Sequence, residues 1–190
     1  MKVSKDRILT THVGSLPRSE KVFKLIFAKE KGKNIDKVEY NKDISDAVKY
    51  VVKKQVLTGI DIVSDGEQSK ISYATYIKDR LHGFEGDSPR KTPKDLEEFP
   101  AFSERSSKSG GIPTYTRPRC TGEVSVKDME PLETDLLNFQ NALSGNIHTE
   151  AFLNAASPGV IALFQPNDYY PSHKKYLYAL ADSMKIEYEN

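Results

Sequence analysis

Short runs of β-branched residues alternate along this chain with longer runs of helical periodicity, and this alternation restricts the possible folds more than any other feature. The strand-like runs occupy residues 8–13, 60–63, 117–126 and 147–152. The helical runs occupy residues 19–32, 44–59, 73–84 and 131–145, a short stretch after Pro158, and residues 171–190. Repeated strand–helix units predict an α/β fold with a parallel sheet, either doubly wound or part of a (β/α)8 barrel.

Polar or small residues stand at the ends of the predicted strands. Gly14 and Ser15 follow the first strand, Glu67 follows the second, and Glu123 stands at the matching place in the third. Ligands of α/β proteins bind at the C-terminal edge of a parallel sheet. We therefore predict four parallel strands with helices on the outer face, and Ser15, Glu67 and Glu123 together on one side.

The composition predicts a single domain whose net charge is too small to attract polyanions. Across 190 residues, 28 lysines and arginines oppose 27 acidic residues, and the net charge of +1 favours neither nucleic acid nor an anionic membrane. No apolar run approaches the ~20 residues that span a bilayer, and the N-terminus lacks a signal-peptide pattern. The single cysteine, Cys120, excludes an internal disulfide and suits a reducing cytoplasm, where we expect the protein.

Residues 85–112 are rich in proline, serine, glycine and charge. Such a segment buries little apolar surface, so little offsets the entropy lost on ordering it. We expect residues 1–190 to form one partial barrel domain, with 85–112 as a mobile loop over the site end of the sheet.

Common nucleotide and metal motifs are absent from the sequence. The stretches HVGSLP and SDGEQS each hold one glycine, which matches neither a dinucleotide fingerprint nor a phosphate loop. The four histidines, His12, His82, His148 and His173, are widely spaced and form no zinc-ligand motif. Cys120 fits a small apolar residue on a buried strand.

The carboxylates at the strand ends are the strongest candidates for chemistry, and each has a structural alternative. Glu67 would suit a ligand ammonium, because a buried carboxylate needs a positive partner or strong donors to stay charged. It could equally pair with a surface lysine, and Asp65 could cap the next helix. His12 fits either an inward hydrogen-bonded residue or a substrate contact.

Four segments, TTHVGSLPR, GIDIVSDGEQSK, RPRCTGEVSVKD and AASPGVIALFQPNDYYPSH, occur in order along nearly the whole chain. Together they resemble the cobalamin-independent methionine synthase family, specifically its short homologues built like the C-terminal catalytic barrel. The resemblance implies a TIM-like barrel of the uroporphyrinogen decarboxylase superfamily, of which this chain matches about the first four βα units. It also implies transfer of the N5-methyl group of a methyltetrahydrofolate to the thiol of homocysteine.

The resemblance implies substrate-binding roles as well. Gly14 and Ser15 would hold the homocysteine carboxylate and Glu67 its ammonium, with His12 and Glu123 as further substrate contacts. The family binds zinc through a His-x-Cys pair, a carboxylate and a second cysteine on later strands, and none of these is present here. We therefore expect no catalytic or metal residue in this chain, and zinc only together with the C-terminal half.

Several functional interpretations stay open on the sequence. The first is the N-terminal half of a methionine synthase-like methyltransferase, inactive alone. Others are a non-catalytic remnant or binding module, half of a split enzyme completed by a second polypeptide, and a thiol alkyltransferase of the coenzyme M type. Because half a barrel leaves sheet edges unpaired, we also expect association, with a complementary half or with another copy.

Overall fold

The computed structural model describes residues 2–88, 94–109 and 115–190, and these residues combine helices and strands in a mixed α/β fold. The elements, in chain order, are α1 (Glu20–Glu30), α2 (Lys37–Leu57), β1 (Ile62–Ser64), α3 (Ile77–Arg80), β2 (Leu81–Glu85), α4 (Lys94–Glu97), α5 (Pro100–Ser109), β3 (Arg119–Val126), α6 (Glu130–Leu143), β4 (Glu150–Phe152), α7 (Pro158–Phe164) and α8 (His173–Glu189). In the described part of the chain, no helix is both long and apolar enough to cross a membrane.

The parallel part of the fold is small. β1 pairs in parallel with β4, and Thr11 adds one parallel bridge to Ile62 of β1. The predicted strand at residues 8–13 is therefore an extended segment held by a single bridge. Helices α2 and α6 pack together beside this sheet, and they enclose an apolar core whose members include Ile44, Val48, Val52, Val63, Phe139 and Ala142.

Helices α1 and α2 confirm two of the predicted helices, with corrections at their starts. The helix predicted over residues 44–59 begins earlier, at Lys37, and ends at Leu57. Its periodic residues face the core as expected, and those that are buried are Ile44, Val48, Val51, Val52 and Gln55, whereas Val56 is partly buried. Helix α1 begins at Glu20, because the Ser19 side chain accepts a hydrogen bond from the Val22 N–H. Pro17 was expected in the first turn of this helix, and it lies before the cap instead.

The prediction of four parallel strands is wrong. The third predicted strand is β3, and it pairs antiparallel with β2 to form a separate two-stranded ribbon. The predicted helix over residues 73–84 is reduced to the single turn α3, after which the chain becomes β2. Gly83 explains the difference, since its φ of +92° lies outside helical backbone and it stands where the pairing register shifts.

The ribbon and α8 form a second apolar core. Leu81 of β2 and Cys120 and Val124 of β3 pack with Tyr176 and Leu180 of α8. The Tyr176 hydroxyl donates a hydrogen bond to the Gln165 carbonyl at 2.9 Å, which ties α8 to the end of α7. The two cores meet near α3, whose buried residue Arg80 is described below.

Residues 85–112 are not uniformly irregular, because α4 and α5 lie within them. Residues 89–93 and 110–112 of this segment lie outside the described residues. The Ser88 N–H donates to the Arg117 carbonyl at 2.7 Å, so the two ends of the segment come together. Its mobility and its position over the site stay predictions.

Asp61 attaches the N-terminal segment to the start of β1. Its carboxylate accepts hydrogen bonds from the Arg7 guanidinium, including one at 2.9 Å, and from the Thr10 N–H at 2.8 Å. The Thr10 carbonyl accepts in turn from the Ile62 N–H at 3.1 Å. The Arg7 hydrogen bond is the main cause that lowers the pKa of Asp61 to about 2, with the Thr10 N–H adding to it.

The lowered pKa predicts an acid-dependent contribution of Asp61 to stability. A carboxyl group whose pKa is lower in the folded chain stabilises it above the ordinary pKa of 3.8, and this contribution disappears as the pH falls toward about 2. We expect Asp61→Asn to lower the free energy of unfolding at pH 7 and to match the original chain near pH 2. Urea denaturation across this pH range measures the difference, and a gap independent of pH would contradict the assignment.

Candidate functional site

The backbone turn after β1 places Glu67 in an unusual conformation. Gly66 and Glu67 are consecutive left-handed residues, with φ of +62° and +54°. For a residue with a side chain this conformation costs about 1–2 kcal/mol. The Asp65 carboxylate stabilises it by accepting a hydrogen bond from the Glu67 N–H at 3.0 Å. Asp65 therefore caps the turn at Glu67, and not a following helix.

Gly66 is also required by a close approach of the N-terminal segment. The Leu16 N–H donates to the Gly66 carbonyl at 3.0 Å, and a Cβ added at Gly66 would lie 2.9 Å from the Leu16 Cβ. The segment that follows Gly14 and Ser15 thus rests directly on the Glu67 turn. Only glycine combines the positive φ with this spacing.

Arg18 fixes the same turn from the other side. Its guanidinium donates hydrogen bonds to the carbonyls of Glu67 at 2.5 Å, Gln68 at 3.2 Å and Lys70 at 2.7 Å. Burial lowers the pKa of Arg18, and the negative charge of Glu67 opposes that effect. The guanidinium contacts main-chain oxygen atoms, so it does not occupy the Glu67 carboxylate.

Two neutral side chains hold that carboxylate. The Ser15 hydroxyl donates to Oε2 of Glu67 at 2.7 Å, and the Asn154 amide donates to Oε1 at 3.0 Å. Glu67 is 2% exposed. Within the described ranges of the chain, no lysine, arginine or histidine side chain forms an ion pair with it. The expected alternative, a surface lysine paired with Glu67, is therefore wrong.

Asn154 was not predicted as a site residue. It follows β4 by two positions, and its carbonyl accepts a hydrogen bond from Lys70 Nζ at 2.5 Å. Lys70 is buried and its ammonium lies 4.6 Å from the centre of the Tyr76 ring. The signal that could have found Asn154 is its place just beyond a strand, the same criterion that selected Ser15 and Glu67.

The remaining predicted residues divide between the site and the ribbon. Gly14 adopts a φ of +94°, and among the described residues neither its N–H nor that of Ser15 has a hydrogen-bond acceptor. Nε2 of His12 is buried and has no partner in the described structure. Glu123 lies exposed inside β3, so its predicted position at the end of a parallel strand is wrong.

An aromatic and cationic cluster lies within electrostatic range of Glu67. The rings of Tyr73 and Phe164 meet edge to face at 5.3 Å, and the Arg117 guanidinium lies 4.7 Å from the Phe164 ring centre. Burial is the main cause that raises the pKa of Tyr73; the charge of Glu67 raises it further and that of Arg117 opposes it. The two rings are nearly perpendicular, so the cluster presents the half-exposed Tyr73 ring beside a positive charge that lies over Phe164.

Metal-binding groups do not converge in the described part of the chain. No group of three or more histidine, cysteine, aspartate and glutamate side chains there could hold an ion. Cys120 is fully buried, and burial raises the pKa of its thiol, which disfavours the thiolate that zinc requires. The described residues therefore do not fit a zinc site.

A groove of about 440 Å³ runs beside β4, between α6 and the end of α8. Its floor is apolar and includes Leu136, Phe139, Phe152 and Leu153. Lys70 and Asn154 also line it, so the groove opens next to the Glu67 site. In the described structure β4 pairs with β1 along one edge only.

Comparison with known proteins identifies relatives along most of the chain. Residues 8–89 match the family model described as the catalytic domain of cobalamin-independent synthase. The chain is 24% identical over 181 residues to a methionine synthase of Sulfolobus acidocaldarius, which covers 95% of this chain and 47% of that protein. Over 75 residues, 40% of this chain and 10% of the relative, it is 35% identical to a 5-methyltetrahydropteroyltriglutamate–homocysteine methyltransferase of Buchnera aphidicola.

A solved structure shows the same fold. The B12-independent methionine synthase from Shewanella sp. W3-18-1, in complex with selenomethionine, superposes with a TM-score of 0.64 at 22% identity. The match covers 95% of this chain and 47% of that one. The chain thus spans about half the length of the methionine synthases that it matches along most of its own length.

Proposed function

We propose that this chain, which is similar along 95% of its length to a methionine synthase and matches the cobalamin-independent synthase model over residues 8–89, carries the amino-acid site of a methionine synthase-like methyltransferase. The reaction would move a methyl group from a methyl-folate to the sulfur of homocysteine, breaking an N–CH3 bond and forming an S–CH3 bond. In this proposal β1, β4 and the segment at Thr11 are strands of a (β/α)8 barrel.

One observation carries the proposal: among the described residues, the donors to the buried Glu67 carboxylate are both neutral. A carboxylate in a site of low dielectric is costly without an opposite charge. Ser15 and Asn154 orient the group but bring no charge. A ligand ammonium would supply that charge and form charge-assisted hydrogen bonds with the carboxylate.

The carboxylate of the amino acid has its own candidate partners. The N–H groups of Gly14 and Ser15, which have no acceptor in the described part of the chain, suit an anion, because consecutive main-chain donors in a turn bind negative groups. His12 can add a third donor through its unpartnered Nε2. We propose that this arrangement, next to Glu67, receives both charges of one amino-acid head.

The aromatic cluster suits the methyl donor. A pterin is planar, and it would stack on the half-exposed Tyr73 ring, which stands nearly perpendicular to Phe164. Arg117 could then receive the acidic tail of a folate. The proximity of this cluster to Glu67 would bring donor and acceptor to one place.

Activation of the thiol is not assigned to the described residues. A thiol is a weak nucleophile until it is deprotonated, and zinc coordination achieves this in other enzymes. Since the described residues do not fit zinc, we propose that the metal and its ligands come from another segment or polypeptide. The open edge of β4 and the groove beside it are where a complementary chain, or a second copy, would add a strand.

The alternative functions differ from the proposed one either in the ligand that Glu67 binds or in turnover. Coenzyme M has a thiol but no ammonium, so a buried carboxylate that has no ion pair with any described residue favours an amino-acid acceptor over coenzyme M. A non-catalytic binding module would bind the same amino acid, so it is separated from the methyltransferase only by turnover after a complementary half is added.

Calorimetric titration of homocysteine tests the site directly. We expect Glu67→Gln to weaken binding about 10- to 100-fold, because hydrogen bonds to charged groups contribute about 1.5–3 kcal/mol. Glu85→Gln, which changes an exposed carboxylate on β2, should leave binding unchanged. Equal affinity in the Glu67→Gln and original chains would contradict the proposed function. The same samples should bind homocysteine without transferring a methyl group, and turnover by the unaided chain would contradict the assignment of the metal elsewhere.

A further inference from the structure

We propose that Asn154 is a specificity-determining residue, whose side-chain oxygen accepts a hydrogen bond from the primary ammonium of the amino acid. The inference rests on the proposed function, because it assumes that Glu67 binds that ammonium. It adds a third acceptor to the site and narrows the ligand class to α-amino acids with an unsubstituted amino group.

The contact with Glu67 fixes the orientation of the Asn154 amide. An ionised carboxylate can only accept hydrogen bonds, so the group 3.0 Å from Oε1 must be the NH2 of the amide. The amide oxygen Oδ1 of Asn154 is then the acceptor that does not contact Glu67. In the described structure this oxygen accepts no hydrogen bond from another residue.

Ser15 presents an acceptor in the same way. Its hydroxyl proton is directed to Oε2 of Glu67 at 2.7 Å, which leaves the oxygen lone pairs facing away from the carboxylate. Glu67, Ser15 and Asn154 thus offer one acceptor each beyond the bonds they already make. A primary ammonium has three N–H donors, one for each of them, whereas an N-substituted amine has fewer.

The position of Asn154 does not depend on a ligand. Its carbonyl accepts from the buried Lys70 ammonium at 2.5 Å, and Lys70 in turn lies over the Tyr76 ring. The three acceptors follow three separate segments: the bridge at Thr11, β1 and β4. When residues 8–15 rest on the Glu67 turn, each acceptor is held before binding, so little side-chain entropy is lost when the ammonium arrives.

The test compares homocysteine with 4-sulfanylbutanoate, which has the thiol and carboxylate but no amino group. We expect the original chain to prefer homocysteine, and Asn154→Ala to bind homocysteine about 10-fold more weakly with unchanged affinity for 4-sulfanylbutanoate. Asn34→Ala, at an exposed asparagine between α1 and α2, is the matched control and should change neither affinity.

Asn154→Ser keeps a hydroxyl oxygen as an acceptor at this position, so it should preserve part of the preference for homocysteine over 4-sulfanylbutanoate. The ratio of the two affinities is measured within each variant, so partial unfolding, which lowers both, does not imitate the expected result. The inference is overturned if Asn154→Ala keeps the original ratio of homocysteine affinity to 4-sulfanylbutanoate affinity while Glu67→Gln lowers that ratio. This result would leave the proposed function standing. An original chain without any preference for homocysteine overturns both.

Discussion

Arg80→Met is expected to lower the free energy of unfolding by about 3–5 kcal/mol, the usual effect of removing one partner from a buried ion pair. Arg80 is 3% exposed, and its guanidinium contacts Asp135 of α6 at 2.7 Å and Glu187 of α8 at 2.8 Å. It also lies 4.6 Å from the ring centre of Tyr76, whose hydroxyl donates to Glu187 at 2.6 Å. Methionine would leave two carboxylates buried without their counter-ion.

Two variants identify charge as the cause. Arg105→Met changes an exposed arginine of α5 and should alter the free energy of unfolding by no more than about 0.5 kcal/mol. Adding Asp135→Asn and Glu187→Gln to Arg80→Met removes the isolated charges and should recover at least half of the loss. Chemical denaturation measures all three, and a loss below about 1 kcal/mol for Arg80→Met would show that the ion pairs are not significant.

Gly83→Ala is expected to destabilise the chain by about 2–6 kcal/mol. A side chain at φ +92° adds strain of about 1–3 kcal/mol. The new Cβ would also lie 2.7 Å from the Glu123 carbonyl oxygen and 2.8 Å from that of Gly122. Both atoms belong to the backbone of β3, so they cannot rotate away, and overpacking of this kind costs about 1–3 kcal/mol more.

Gly86→Ala separates these two contributions within the same ribbon. Gly86 also has a positive φ, of +68°, but no atom lies within 4 Å of the Cβ it would receive. This variant should therefore show the backbone strain alone, about 1–2 kcal/mol. If thermal denaturation found equal losses for the two variants, the close approach of β2 to β3 would not be the reason for glycine at residue 83.

The longer helices outside residues 85–112 were predictable because their signals are local, whereas α4 and α5 were not predicted. In α2 the spacing of Ile44, Val48 and Val52 gives a continuous apolar face, and all three are buried. Residues 73–84 show why predicting a helix from the spacing of apolar residues failed elsewhere. Tyr76, Ile77 and Arg80 have helical spacing and are buried, yet β2 forms immediately afterwards through pairing with β3. That partner lies more than thirty residues away, so Gly83 is the local sign that the helix ends and nothing local identifies β3 as the partner.

The candidate site was predictable in part for a related reason. Ser15 and Glu67 were selected because they end strands, and the structure places them in hydrogen-bond contact at 2.7 Å. Glu123 was selected on the same rule, but a single strand does not reveal the direction of its neighbour. The amide of Asn154 has no sequence signature beyond its place after β4, so its contact with Glu67 emerges only in three dimensions.

The single parallel bridge at Thr11 has a consequence for affinity. The segment that carries Gly14 and Ser15 is joined to β1 by this one bridge, and its other attachments are the Asp61 contacts, the Leu16 N–H and the side-chain hydrogen bonds of Ser15 and Arg18. Glu67 and Asn154, by contrast, adjoin strands that pair with each other. Regions with few such contacts open locally at a small free energy, without global unfolding. Only the closed fraction of molecules binds the whole amino-acid head, and the apparent dissociation constant rises as that fraction falls. Strengthening the attachment of residues 8–15 would therefore tighten binding without altering any atom that touches the ligand.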